Sequence, residues 1–303
     1  HRKMARKYHL PKDEFVDNEY FPWQLYVREA RRLKGRYTLT ENDVNVKENA
    51  KRTKVFNDSI ISGDFPIDSF PVSKESSAKK IVLEGYIGML EICPYQVPLN
   101  ILIPEKIEGL ISTIRMEPLW MGIGQAAGLA AYLALKMKVE IKDIPVHYLQ
   151  KLLIDNQQVI TYFDDIGIDD KAFKAAQFWG TKGFFDCYHA KMKQPLNAKE
   201  MTLWLGIFHD LCGTKDSNKV NKEEVDISIS MFSIIIYNLG RDHGLWDYDM
   251  SYASYNSQSD LRPTKWLYST RDYSLSILRG EACLALYYMF FAFQKSKYNL
   301  LDI

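Results

Sequence analysis

The chain lacks any excess of charge: 39 lysines and arginines stand against 38 aspartates and glutamates over 303 residues, a formal net charge of +1. Without a basic field there is nothing to gather nucleic acid or an anionic membrane, and nucleic acid is not expected as a partner. Cysteine is scarce. Cys93, Cys187, Cys212 and Cys283 are widely spread, with neither C-x-x-C nor zinc-ligand spacing, so they mark no redox pair and leave the compartment open. His189, His209 and His243 also lack ligand spacing, and no metal site is expected. The chain opens His1-Arg-Lys-Met, without an apolar stretch from which a targeting signal is read; this start implies that upstream sequence is missing. The basic cluster Arg2, Lys3, Arg6 and Lys7 reads as a solvated helix face.

What is present is an ordinary globular composition, 47% hydrophobic and 25% charged, long enough for two domains. Composition becomes extreme in one place, Ser112 to Lys138, STIRMEPLWMGIGQAAGLAAYLALKMK. Pro118 suits a first helical turn, where its missing N–H is not needed. Gly124, Ala127, Gly128 and Ala131 then recur at helical spacing and make a face of little bulk, open to a close approach by a backbone or a cofactor. Other readings of the stretch stay open. Gly122 to Ala127 matches G-x-G-x-x-A, but Glu117-Pro118 interrupts the strand that a dinucleotide fingerprint needs. Leu119 to Leu135 is apolar, yet somewhat short for the ~20 residues of a membrane span, which is not expected. A plain core helix is the third alternative.

Four words in order, FPWQLYVREARRLKGRYTLTENDV (Phe21 to Val44), DSIISGDFPIDSF (Asp58 to Phe70), PYQVPLNILIPEKIEGLI (Pro94 to Ile111) and STIRMEPLWMGIGQAAGLAAYLA, closely resemble the FAD-dependent oxidoreductase family that includes proteins labelled xanthan-lyase-like. The resemblance implies that FAD faces the start of the glycine-rich helix, with Arg115, Met116, Glu117, Gly122, Gly124, Gln125, Ala126 and Ala127 as cofactor-binding residues. Tyr95, in the P-Y-Q word, is the implied proton donor. Two departures matter. Relatives carry an amino-terminal G-x-G-x-x-G unit for the ADP half of FAD, and nothing before Phe21 forms one; relatives also carry a dozen or so residues where Ile111 here meets Ser112. A helix start contributes ~0.3 to 2 kcal/mol towards an anion, whereas a micromolar cofactor needs ~8 kcal/mol. The chain is therefore expected to be a truncated carboxy-terminal portion of such an oxidoreductase, flavin-free or weakly binding.

Smaller features fill the family segment. Arg28 and Arg31 are candidates for pairing with a carboxylate or phosphate, or with neighbouring acids, and a short strand is expected at Tyr37 to Leu39. Asn42 to Ser59 reads as a polar surface loop. Asp64 and Asp68 flank Pro66, either as acid–base groups or as turn residues. Ile81 to Ile92 suggests a strand or hairpin, and Lys142 to Ile160 an amphipathic closing helix with Leu149, Leu152 and Leu153 inward.

From Thr161 the words change. Phe163-Asp164-Asp165, an amphipathic helix, Gly183-Phe184-Phe185 and PLNAKE (Pro195 to Glu200) resemble an S-layer-homology repeat, with Asn197 and Glu200 spaced as a capping box. A weaker copy runs from His243 to Tyr288, its helix start at Leu278 lacking a capping side chain. Ser228 to Leu239 is either the preceding helix or a buried strand. The resemblance implies polysaccharide binding through Lys199, Glu200, Arg279 and Glu281, and a secreted or cell-surface location. Trp179, Trp204, Trp246 and Trp266 read as core residues rather than sugar platforms. The expected fold is α+β, a partial FAD-binding α/β domain with a mixed sheet over residues 1–160, followed by an all-α S-layer-like domain over 161–303. The expected function is FAD-dependent oxidation of a small organic or carbohydrate-derived substrate; the alternative is a non-catalytic glycan-binding or accessory module.

Overall fold

In the computed structural model the described residues are 10–24, 34–65, 68–69, 85–86, 92–106, 117–214, 225–245, 272 and 274–298. Arg28, Arg31, Arg115, Met116, Trp246, Trp266 and the amino-terminal basic cluster lie outside them. The chain divides into two compact units, one of residues 1–32 and 67–89, the other of 33–66 and 90–303. Within the first, a 3₁₀ turn spans Val16–Asn18 and two short strands, β2 (Asp68–Ser69) and β3 (Gly85–Tyr86), pair antiparallel with Asp68 opposite Tyr86. Of the hairpin expected over Ile81 to Ile92, only β3 and Ile92 fall within the described residues.

In the second unit, a one-turn helix α1 (Glu41–Val44) precedes β1 (Ser59–Gly63), which pairs antiparallel with β4 (Tyr95–Pro98) through a bulge between Ser59 and Ile61. The α+β class holds. The mixed sheet does not: among the described residues both sheets are antiparallel pairs, and parallel pairing is confined to a single bridge between Lys51 and Cys187. The strand expected at Tyr37 to Leu39 does not form; a single bridge, Gly35 to Pro104, lies just ahead of it. The Tyr37 hydroxyl donates to Asp43 (2.7 Å), as do the Thr40 N–H (2.9 Å) and Lys54 Nζ (3.0 Å). Burial alone would raise the Asp43 pKa, but these donors outweigh it and hold the carboxyl below its ordinary value. The segment expected to be a surface loop is thus anchored, with Asp43, Arg52, Thr53 and Phe56 buried.

The glycine-rich stretch forms α2 (Glu117–Met137), and Leu119, Ile123, Ala126, Ala130 and Leu133 recur on its core side. After a 3₁₀ turn at Ile141–Asp143 comes α3 (Val146–Asp155), with Leu149 and Leu153 buried. The helix expected from Lys142 to Ile160 is shorter because Pro145 stands at its N-cap and Gln157 turns left-handed, φ 63°, just past its end.

Among the described residues four helices follow: α4 (Phe173–Gly180), α5 (Ala198–Cys212), α6 (Ile229–Asp242) and α7 (Arg279–Tyr298). The last three start from one backbone ring. The Leu196 N–H donates to Ile277 (2.9 Å), that of Ile277 to Ile227 (2.8 Å) and that of Ile227 back to Leu196 (2.8 Å). A second set of bonds links the same three segments in the opposite sense, from the N–H groups of Ala198 to Val225, Ile229 to Leu275 and Arg279 to Gln194. The sequence marks two of these starts; the third, at Ser228, begins the word left open between helix and strand, and that word is helical.

Each start solves the unpaired-donor problem of a helix end differently. Asn197 Oδ1 accepts from the Glu200 N–H (2.9 Å) and Ser228 Oγ from the Met231 N–H (3.2 Å). Leu278 has no side-chain acceptor, and Glu281 reaches back to its N–H (3.2 Å). Only half of the capping box expected at Asn197 forms this way, because the Glu200 carboxylate turns to Arg279. Trp179 and Trp204 are fully buried and sandwich Phe184, at 4.2 and 4.7 Å between ring centroids, as core residues should.

Where the strands and α3 meet α4, the interior is polar. Thr161 Oγ1 accepts from Arg52 Nη2 and Gln96 Nε2, both at 2.8 Å, and Gln177 Oε1 accepts from the Ile160 and Thr161 N–H groups (2.9 and 3.0 Å). Gln150 Nε2 donates to the carbonyls of Asn57 and Ser59, both at 3.0 Å. Lys182 Nζ donates to Gln150 Oε1 (2.8 Å) and to the Asn57 carbonyl (2.5 Å). A neutral amine has two N–H donors, and two acceptors are present. Burial brings the Lys182 pKa down to about 7, with Asp58 opposing the fall.

The unfolded chain, with the ordinary lysine value of 10.5, binds one more proton than the folded chain between pH 7 and that value. Stability therefore rises with pH across this window, by up to ~1.4 kcal/mol per unit from this group. Denaturant unfolding from pH 7 to 9.5 should show that slope in the native chain and its loss in Lys182→Met. Equal slopes in the two proteins contradict a neutral buried amine.

Candidate functional site

The two sides of α2 have different tasks. On the inner side Gly122 allows the helix to close on β1: a Cβ there would collide with the Ile61 side chain. Gln158 Nε2 bridges the same contact, donating to the carbonyls of Ile60 (2.6 Å) and Gly122 (3.1 Å). Ala126 is wholly buried beside them. On the outer side, Trp120, Met121, Tyr132 and Leu135 are exposed, Met121 to 76% and Leu135 to 80%. Between them lie Gly124, Gln125 and Gly128, also exposed. A Cβ at Gly124 or Gly128 would meet no atom within 4 Å.

A glycine inside a helix costs ~1 kcal/mol against alanine. Gly122 has a packing reason within the chain; Gly124 and Gly128 have none among the described residues. The resulting strip is flanked by apolar side chains, carries Gln125 between its two glycines, and has open space above both, which leaves room for a close approach.

The cofactor residues implied by the family resemblance divide accordingly. Gly124 and Gln125 stand on the open strip, Ala127 is half-buried at its edge, and Gly122 and Ala126 belong to the packed side. Glu117 is the first residue of α2, where the positive end of the helix dipole lies. Tyr95 is brought under the first turn rather than onto the strip. A Cβ on Gly63 would lie 3.2 Å from its Cζ and 3.3 Å from both its hydroxyl and Leu119 Cδ2. Burial, with the Asp64 charge adding to it, raises the Tyr95 pKa, so the hydroxyl stays protonated at neutral pH. Asp68 opens β2 in the other unit.

Of the four residues implied for glycan binding, Glu200 and Arg279 pair with each other across two helix starts, and Arg279 Nε also donates to the Ala190 carbonyl (2.9 Å). The Arg279 guanidinium is enclosed between Phe185 and Trp204, 5.7 and 5.5 Å from the ring centroids. Lys199 remains on the surface, and Glu281 caps α7.

One cluster escapes sequence reasoning. Asp164, Asp165 and His189 offer ligand atoms within 4.8 Å of one another, with Asp164 Oδ1 2.8 Å from His189 Nδ1. The carboxylate of Asp165 also accepts from the N–H groups of Ala190 (2.8 Å) and Lys191 (2.6 Å), which fastens the loop behind α4. No local spacing signals it; the loop folds back over more than twenty residues. Among the described residues one helix, Pro118–Met137, is long and apolar enough to cross a membrane, and its core side is packed in the protein.

Residues 2–153, half of the chain, match the FAD dependent oxidoreductase family, and the chain belongs to that family. No curated protein and no solved structure matches it.

The open space at Gly124 generates a direct test. Gly124→Ala should stabilise the chain by ~1 kcal/mol in urea unfolding, since the new methyl meets nothing and the helix gains propensity. Destabilisation would show that the strip is covered in the free chain.

Proposed function

We propose that the chain serves FAD-dependent oxidation of a small organic or carbohydrate-derived substrate, with the flavin lying against the outer strip of α2. The observation that carries this reading is the unfilled volume at Gly124 and Gly128 in a chain of the FAD dependent oxidoreductase family. Gly124, Gln125 and Gly128 would border the cofactor, which supplies the electron-pair chemistry. The backbone of α2 sets the approach distance, and Trp120 and Met121 shield one edge of the strip from water. Tyr95, protonated beneath the first turn, maintains a donor close to where α2 begins. A helix start and an apolar strip fall short of the ~8 kcal/mol of micromolar binding, so FAD is held weakly by this chain alone.

A second role rests on the backbone rings. Three helix starts arranged in a cycle suit an S-layer-homology-like repeat domain over residues 161–303, xanthan-lyase-like proteins being the branch of the family that the sequence resembles. In this reading the helical part attaches the protein to polysaccharide at a cell surface. Lys199 is the exposed contact, and the Glu200–Arg279 pair holds its helix start in place.

Titration of FAD into the full chain, followed by flavin fluorescence anisotropy, tests the first reading. Binding should be weaker than about 1 μM, and Gly124→Leu, which fills the strip, should remove it while leaving helical circular dichroism intact. Flavin absorbance co-eluting stoichiometrically with the chain contradicts weak binding, and unchanged titration of Gly124→Leu contradicts the strip.

A further inference from the structure

Over the last two turns of α2 lies a cleft of about 800 Å³ to which the oxidoreductase reading assigns no part. At 1.5 Å per residue, Ala131, its first lining residue on α2, lies about 10 Å along the helix from Gly124. Its floor is apolar, formed by Ile103, Ala131, Ala134 and Leu135. Its rim is cationic: Arg36, Lys106, Lys138 and Lys142 all line it.

Two carboxylates also reach the rim, and each is already engaged. Glu105 pairs with Lys34 (2.9 Å) and Glu140 with Lys142. That leaves Arg36, Lys106 and Lys138, none of which has a carboxylate partner among the described residues. Glu140 holds the Lys142 pKa above its ordinary value, with burial and the Arg36 charge opposing that rise.

The carboxy-terminal end of a helix disfavours an anion, and here that end is closed off. Lys138, left-handed at φ 56°, donates its N–H to Leu135, and Val139 donates to Ala134 (3.0 Å). The left-handed turn thus consumes two terminal carbonyls and brings a cation to the rim.

We propose that this cleft binds a small organic anion, an apolar body bearing a phosphate or carboxylate group, with the body on the Ala131–Leu135 floor and the charged group among Arg36, Lys106 and Lys138. Neither half of such a ligand suffices. Rim cations near solvent contribute modestly each, and the floor alone gives no orientation, so affinity requires both.

Calorimetry on the full chain with 1-naphthyl phosphate, 1-naphthol and inorganic phosphate separates the two halves. The expected result is one site for 1-naphthyl phosphate, at least about ten-fold tighter than for either control, and weaker as salt rises. The double variant Arg36→Gln/Lys138→Gln should bind about ten-fold more weakly. Ala131→Trp, which fills the floor, should remove the site with helical circular dichroism unchanged. Equal binding of 1-naphthol, or affinity unaltered in both variants, overturns the proposal. So does co-sedimentation with phosphatidylglycerol vesicles in the absence of 1-naphthyl phosphate binding, which would assign the cations to a lipid surface.

Discussion

The hydroxyl of Thr161 is the point through which the segment matching the oxidoreductase family and the carboxy-terminal helices share an interior. It accepts from Arg52 and Gln96 on one side, while its own backbone N–H is held by Gln177 of α4 on the other. A buried arginine without a carboxylate is costly, and burial lowers its pKa. The rings of Phe163 and Tyr188, 5.4 and 5.1 Å from the guanidinium, offset part of that cost. Around this centre, Gln150 and Lys182 satisfy the carbonyls of the chain entering β1. Polar groups buried together in this way tolerate few alternative arrangements, because any displacement leaves a donor or acceptor unpaired. Gly180 completes the fit: a Cβ there would come within 2.6 Å of Thr161 and 2.8 Å of Phe163.

Much of the outline was legible in residue order. The α2 helix follows from Pro118 and the small-residue period, the cores of α4 and α5 from Trp179 and Trp204, and the start of α5 from Asn197. What was not legible depends on partners distant in sequence. The lysine-rich stretch before β1 looks solvated residue by residue, yet Asp43 collects Tyr37, Thr40 and Lys54, and Arg52 finds Thr161 more than a hundred positions away. The third helix start at Ser228 is hidden because its Ile run fits either period, and only the backbone ring decides between them.

The candidate site was legible in composition but not in direction. A run of small residues reveals that something approaches closely, not which side of the helix it approaches from. The structure divides the run: Gly122 and Ala126 serve the protein's own packing, whereas Gly124 and Gly128 leave space outside it. Tyr95 was chosen from its word in the family, and its place under the first turn depends on the β1–β4 register that sets it opposite Gly63. The cationic cleft has no sequence motif at all. It arises from the meeting of the Gly35–Arg36 segment, the Ile103–Lys106 turn and the left-handed step at Lys138.

The claim on which this account rests is that the strands and α2–α3 unfold together with α4–α7, joined at Thr161. Native-state hydrogen exchange read by peptide mass spectrometry tests it most directly. Peptides from α3 and α4 should open at one common free energy, and Thr161→Val, which removes the acceptor for Arg52 and Gln96, should lower protection in both by a similar amount. Loss of protection in α2 and α3 alone, with α4 to α7 unchanged, would contradict a shared interior.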